Sequence, residues 1–341
     1  MLNISRRALI KTMAAAPAAA AIGSFPHIAR AAGAEFTFKY GNNLPLSHPL
    51  NIRSQEVADR IKEESKGRLV INIFPNNQLG GDTDMMSQVR RGGIDLFTPS
   101  ALVMATLVPV AAINAVGFAF ADYDQVWKAM DGKLGTFVRN SVEKVGLYAM
   151  DNMWDNGFRQ ITTNNTPINS PKDLEGIKIR VPVSPLIVDM FKALGAAPVG
   201  MQYSEVYSSL QTRVIDAQEN PLVIIQTGKI YEVQKYCSLT NHIWDGYWFI
   251  VNGKSWKNLP PDLKEIMTQA FKDGAQKQRA DIKKMNETVM VELKEKGLIF
   301  NTTTPDSFRA QLKESGFYGV WHKKFGDEAW GLLEEAVGKL S

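Results

Sequence analysis

PDLKEIMTQAFKDGAQKQRADIKKMNETVMVELKEKG, residues 261–297, has no proline after Pro261, and Gly274 is its one interior glycine. The first part carries an apolar stripe: Leu263, Ile266, Met267, Ala270 and Phe271. The last part carries Ile282, Met285, Val289 and Leu293, spaced by three and four. That spacing puts each set on one face of a helix. The middle, residues 276–281, is polar. At 1.5 Å per residue the helix is roughly 50 Å long, more than a single lobe needs. The heptads are not sustained, which weighs against a coiled coil. The stretch predicts one helix that packs on two lobes and crosses solvent between them.

The chain upstream supplies material for two lobes. Residues 36–40 alternate as a strand, 50–64 read as a helix, and 69–74 as a second strand closed by Pro75-Asn76-Asn77. Residues 85–91 form a helix ended by Gly92-Gly93, and 94–97 open a third strand. Such alternation argues for an α/β lobe with a largely parallel sheet. Part of it recurs: a strand at 177–181, a helix at 185–194, a helix at 204–212 with Ser204 as its expected N-cap, and a strand from 214. Val89 to Asp95 and Leu210 to Asp216 match, each ending a helix and opening a strand on Ile-Asp. The match is short, but it fits two lobes of like topology.

The N-terminus reads as an export signal. Ser5-Arg6-Arg7-Ala8-Leu9-Ile10-Lys11 is a twin-arginine pattern, an Ala-rich apolar run follows, and Ala29-Arg30-Ala31 offers a small-x-small cleavage site. The apolar run is shorter than the ~20 residues that span a bilayer, and Pro17 interrupts it. Residues 1–31 are thus expected to be a Tat-type signal peptide, with the mature protein in the periplasm. About 310 residues remain, which favours two domains. The net charge of +4 includes Arg6, Arg7, Lys11 and Arg30, so the mature chain is near neutral and offers no case for nucleic acid. Cys237 is the only cysteine; its apolar surroundings suggest a buried thiol rather than a nucleophile. His27, His48, His242 and His322 are not spaced as metal ligands, and no cofactor is expected.

Several blocks stand in order: Phe74-Pro75-Asn76-Asn77-Gln78-Leu79-Gly80, Gly157-Phe158-Arg159-Gln160-Ile161-Thr162, Gly176-Ile177-Lys178-Ile179-Arg180-Val181-Pro182, Ser204-Glu205-Val206-Tyr207, Asp216-Ala217-Gln218-Glu219-Asn220-Pro221, and Tyr231-Glu232-Val233-Gln234-Lys235-Tyr236. With them the mature chain resembles the solute-binding proteins of tripartite ATP-independent periplasmic (TRAP) transporters, of the C4-dicarboxylate-binding type. The resemblance implies a two-lobed α/β periplasmic binding protein fold with a long helix spanning both lobes. It implies capture of an organic acid between the lobes and delivery to membrane permease subunits, by a monomer, without catalysis. A binding protein of an ATP-driven importer and a ligand sensor are the alternatives.

The resemblance also implies roles. Arg180 pairs with the ligand carboxylate, a task suited to the guanidinium fork. Asn220 adds an amide donor, or is only a turn residue before Pro221. Arg159 supports the carboxylate, or is a structural ion-pair residue. Tyr203 flanks the ligand, and Asn43 reaches it from the opposite lobe. The chain departs from the family's polar-ligand members at Trp154, Val183, Trp244 and Tyr247, which are expected to give the cleft apolar walls unless the aromatic residues belong to the core. The expected lobes are 32–155 with 245–284, and 156–244 with 285–341. Hinges are expected at 152–156, 241–245 and 276–281.

Overall fold

The computed structural model describes residues 33–340. The expected signal peptide, residues 1–31, lies outside the described residues. One sheet joins β1 (Phe36–Gly41), β2 (Leu69–Phe74), β3 (Leu96–Phe97), β4 (Leu147–Ala149) and β11 (Ile250–Asn252) in the order β2-β1-β3-β11-β4. The other joins β5 (Trp154–Thr163), β6 (Lys178–Val181), β7 (Ala197–Gly200), β8 (Ala217–Pro221), β9 (Tyr236–Leu239) and β12 (Ile299–Thr302) in the order β12-β9-β5-β8-β6-β7, with β10 (Trp244–Tyr247) paired to β5.

The two sheets share a plan. In the first, β1 lies between β2 and β3, all parallel, and β11 adds antiparallel beside β3. In the second, β6 lies between β7 and β8, all parallel, and β5 adds antiparallel beside β8. The Ile-Asp match has a physical basis in this plan. The Asp95 N–H donates to the Lys39 carbonyl (3.0 Å), and the Lys39 N–H donates to Asp95 Oδ2 (2.9 Å). The Asp216 N–H donates to the Lys178 carbonyl (2.9 Å), and the Lys178 N–H donates to Asp216 Oδ2 (3.2 Å). Each aspartate ties the entry of the third strand to the first and satisfies an N–H that the ladder leaves open.

The long helix runs Pro261–Glu295 without a break. Leu263, Met267, Ala270, Phe271 and Ala275 enter the core under the first sheet, with Phe38, Tyr40 and Val57. Val289 and Leu293 enter a core of the second, with Val206, Ile225 and Cys237. Gly274 is there for close approach: a Cβ would stand 2.5 Å from Val57 Cγ2 and 2.9 Å from Trp154 Cζ2.

The polar middle corrects one expectation, because it does not cross solvent. Gln278 is fully buried; its Oε1 accepts from the Asp155 N–H (2.8 Å) and its Nε2 donates to the Asp155 carbonyl (2.7 Å). Arg279 donates to the Met153 carbonyl and to both Asp131 oxygens, and its guanidinium stacks 3.7 Å from the centre of the Trp127 ring. Gln278 and Arg279 thus serve the backbone of the strand that passes between the sheets.

A second correction concerns Ser204. A 3-10 turn at Tyr203–Glu205 precedes the helix Val206–Gln211, which has no side-chain cap.

Candidate ligand-binding site

Parallel strands end where their N–H and C=O rows run out, and ligands bind beyond their carboxyl ends. Here the carboxyl ends of both parallel sets line one cavity. Asn43 and Leu44 follow β1, Asp82 opens the helix Asp82–Arg91 after β2, and Ser100 and Val103 follow β3. From the other sheet come Arg180 and Pro182 at β6, Tyr203 after β7, and Asn220 at the end of β8. Asn156 and Arg159 on β5 and Tyr247 on β10 close the wall. The space between them is small, about 30 Å³. The halves touch across it: Gln202 accepts from the Asp82 N–H (2.9 Å) and donates to Thr83 Oγ1 (2.6 Å).

The two arginines differ in kind. Arg159 is 2% exposed and lies against Glu219, which is fully buried. Arg159 Nη2 donates to Glu219 Oε1 (2.7 Å) and to the Glu219 carbonyl (2.6 Å), while Nη1 faces Asp245 Oδ2 at 3.3 Å. His242 Nε2 meets Glu219 Oε2 at 3.0 Å, and Thr240 Oγ1 meets His242 Nδ1 at 2.7 Å. Burial pushes the Glu219 carboxyl upward, but Arg159 and His242 outweigh it and hold it below its ordinary range. The charge of Arg159 is thus already compensated.

Arg180 is equally buried, 2% exposed, yet its Nε and Nη2 donate only to the Met201 carbonyl (3.0 and 2.7 Å). Among the described residues no carboxylate forms an ion pair with it within 4.0 Å. Burial, and secondarily the nearby Arg159, push its pKa down to about 10. Such a charge is costly to bury unpaired, and an entering anion relieves that cost.

Acceptors face the same space. Asn156 Oδ1 and Asn43 Oδ1 are buried without a partner. The Asn156 amide donates to Asp245 Oδ2 (3.1 Å), and the Asn43 amide to Asp82 Oδ1 (2.8 Å). Burial pushes Asp82 up to about 6, against the pull of Arg180. The Asn220 amide is engaged by Gln218 Oε1.

Of the residues singled out from sequence, Arg180, Asn220, Arg159, Tyr203, Asn43 and Tyr247 come together on this cavity. Three do not. Trp154 is fully buried in the core beneath Gly274, 4.5 Å from the Phe249 ring centre. Trp244 packs edge-on against Trp127, and its Nε1 donates to Asp155 Oδ1 (2.9 Å). Val183 lies one residue past the lining Pro182, outside the wall. Asp82, Ser100 and Asn156 line the cavity without having been expected there; the Gly80-Gly81 pair before Asp82 was the available signal. Cys237 is fully buried in β9, where burial pushes its thiol pKa up. Among the described residues no His, Cys, Asp and Glu cluster is arranged to hold a metal, and no helix is long and apolar enough to cross a membrane.

Comparison with known proteins agrees with this architecture. The family model of bacterial extracellular solute-binding protein, family 7, matches residues 40–317. The 2,3-diketo-L-gulonate-binding periplasmic protein of Escherichia coli is 32% identical over 77% of this chain and 80% of its own. A TRAP periplasmic solute-binding protein from Sulfurospirillum deleyianum, solved with succinate, superposes with a TM-score of 0.82 at 33% identity, covering 89% of this chain and 98% of the other. A sugar acid binding protein from Advenella mimigardefordensis, solved with galactonate, gives 0.84 at 29% identity over 89% and 98%. The chain belongs to bacterial extracellular solute-binding protein family 7, the C4-dicarboxylate-binding type of TRAP solute-binding protein.

Proposed function

We propose that this protein is the solute-binding component of a TRAP transporter, taking an organic acid by its carboxylate on Arg180 and handing it to membrane permease subunits. The observation that carries this reading is a buried guanidinium with no paired carboxylate among the described residues, on the wall of an interlobe cavity. A carboxylate supplies the missing charge and accepts from the fork. The relatives solved with succinate and galactonate support the ligand class. The reading needs no catalytic group and favours a TRAP permease over an ATP-driven importer.

The lobes, 32–155 with 245–284 and 156–244 with 285–341, close on the acid as rigid units. Supporting this, the wall draws residues from both sheets, and the segments around Met153–Asn156, β10 and Gln278–Arg279 touch one another at the crossing. Binding then shifts an open–closed equilibrium. To test the reading, the protein is unfolded, stripped of ligand, refolded and melted against a library of organic acids. A ligand at 100 times its Kd adds ~2.7 kcal/mol of stability, so its melting temperature rises by several degrees. A library in which no carboxylate raises it overturns the reading.

Export to the periplasm by the Tat route completes the proposal, and the protein acts there as a monomer. Replacing Arg6 and Arg7 together with Lys should empty the periplasmic fraction of mature protein. Undiminished export of that variant removes the Tat assignment.

A further inference from the structure

A second chamber, about 280 Å³, lies beside the arginine cavity. Asn76 and Asn77 border it on one side, and Ser204, Tyr207 and Gly228 on the other. The two spaces share two wall residues, Tyr203 and Asn43. Tyr203 is wedged in place: a Cβ on Gly228 would stand 2.4 Å from its Oη. Asn43 is held by Asp82 (2.8 Å). The inner space, about 30 Å³, takes a carboxylate and few further atoms. The outer space is large enough for several further carbons, and Asn76, Asn77, Ser204 and Thr227 border it with groups that can bond hydroxyls.

We propose that Tyr203 is the partition that sets ligand length: the closed site holds a short acid behind it, and the outer chamber is a subsite for the hydroxylated chain of a longer acid that the ring shuts off. This rests on the carboxylate reading of Arg180. Relatives solved with succinate and with galactonate show that a common scaffold serves acids of both lengths. In this chain the ring is placed to decide between them, because Tyr203 lines both spaces and, with Asn43, stands between Arg180 on one side and Asn76 and Asn77 on the other.

Calorimetry with ligand-stripped protein tests it. The short probes are glycolate, lactate, glycerate and succinate; the long ones are gluconate and galactonate. Wild type and Tyr203→Phe, which keeps the ring, should bind the best short acid at least tenfold more tightly than either long one. Tyr203→Ala should change that ratio at least tenfold in favour of the long acids. Tyr203→Leu, which removes the ring but keeps an apolar side chain, should move the ratio in the same direction and serves if Tyr203→Ala does not fold. A ratio unchanged within threefold in the folded variants overturns the partition, as does wild-type preference for the long acids. Arg180→Ala separates the two readings: with it, every probe that binds should be lost whether or not the ratio depends on Tyr203. Wild-type protein binding none of the probes overturns the partition, while the library melt still judges the carboxylate reading.

Discussion

Arg180→Ala should abolish tight binding while leaving the protein folded. Removing one partner of a buried charge pair costs about 3–5 kcal/mol, or roughly 10²- to 10³·⁵-fold in affinity. The apo protein should not suffer the same loss, since among the described residues no ion pair depends on Arg180. Its guanidinium is 2% exposed, gives two hydrogen bonds to one carbonyl, and has its pKa pushed down to about 10 by burial and by Arg159. A depressed base pKa means that the folded state disfavours the charge. Melting of apo Arg180→Ala is therefore expected at or slightly above the wild-type temperature, while calorimetry with the cognate acid shows the loss. Arg180→Lys should recover only part, because an ammonium cannot present two parallel donors. A folded Arg180→Ala protein that binds within threefold of wild type would sink the anchor role.

Much of the fold was legible because its signals are local. The apolar spacing of the long helix and the paired Ile-Asp steps both survive as single structural devices. The polar stretch at 276–281 was legible as polar, but its partners are backbone groups more than a hundred residues away. No spacing rule reports such a contact. The site was legible where a residue's chemistry demands a partner, as at Arg180. It was not legible where the face of a strand decides the matter. On β5 the pairing runs Trp244 to Phe158 and Asp245 to Gly157, then Gly246 to Asp155 and Tyr247 to Trp154, so Asn156 is the extra residue of a bulge. A bulge breaks the period-two alternation and re-aims its side chain. Trp154 therefore falls into the core and Asn156 into the cavity, though alternation alone would give them the same face. Gly157, at φ +119°, accepts the distorted backbone.

Glu219→Gln should be the most damaging isosteric change in the protein. Glu219 is the bidentate partner of Arg159 and the acceptor for His242, and all three are 2% exposed or less. Glutamine keeps the shape but withdraws the charge. That leaves Arg159 with Asp245, 3.3 Å away, whose own carboxyl is pushed up to about 6 chiefly by burial. The expected loss is about 3–5 kcal/mol, or roughly 5–12 °C of melting temperature at neutral pH for a chain of this size. The sign with pH follows from the carboxyl itself. Its folded pKa lies below the ordinary 4.5, so the stability it contributes is present above that value and is lost as pH falls through the folded pKa. Glutamine resembles the protonated acid. The gap between wild type and Glu219→Gln should therefore be widest above the ordinary carboxyl value and close as pH falls through the lowered folded pKa, because wild type then loses the same charge. Thermal melts of both proteins across that range measure it. Equal melting at pH 7 would mean that Arg159 does not depend on Glu219 for its charge balance, and the contrast drawn between a compensated Arg159 and an open Arg180 would lose its basis.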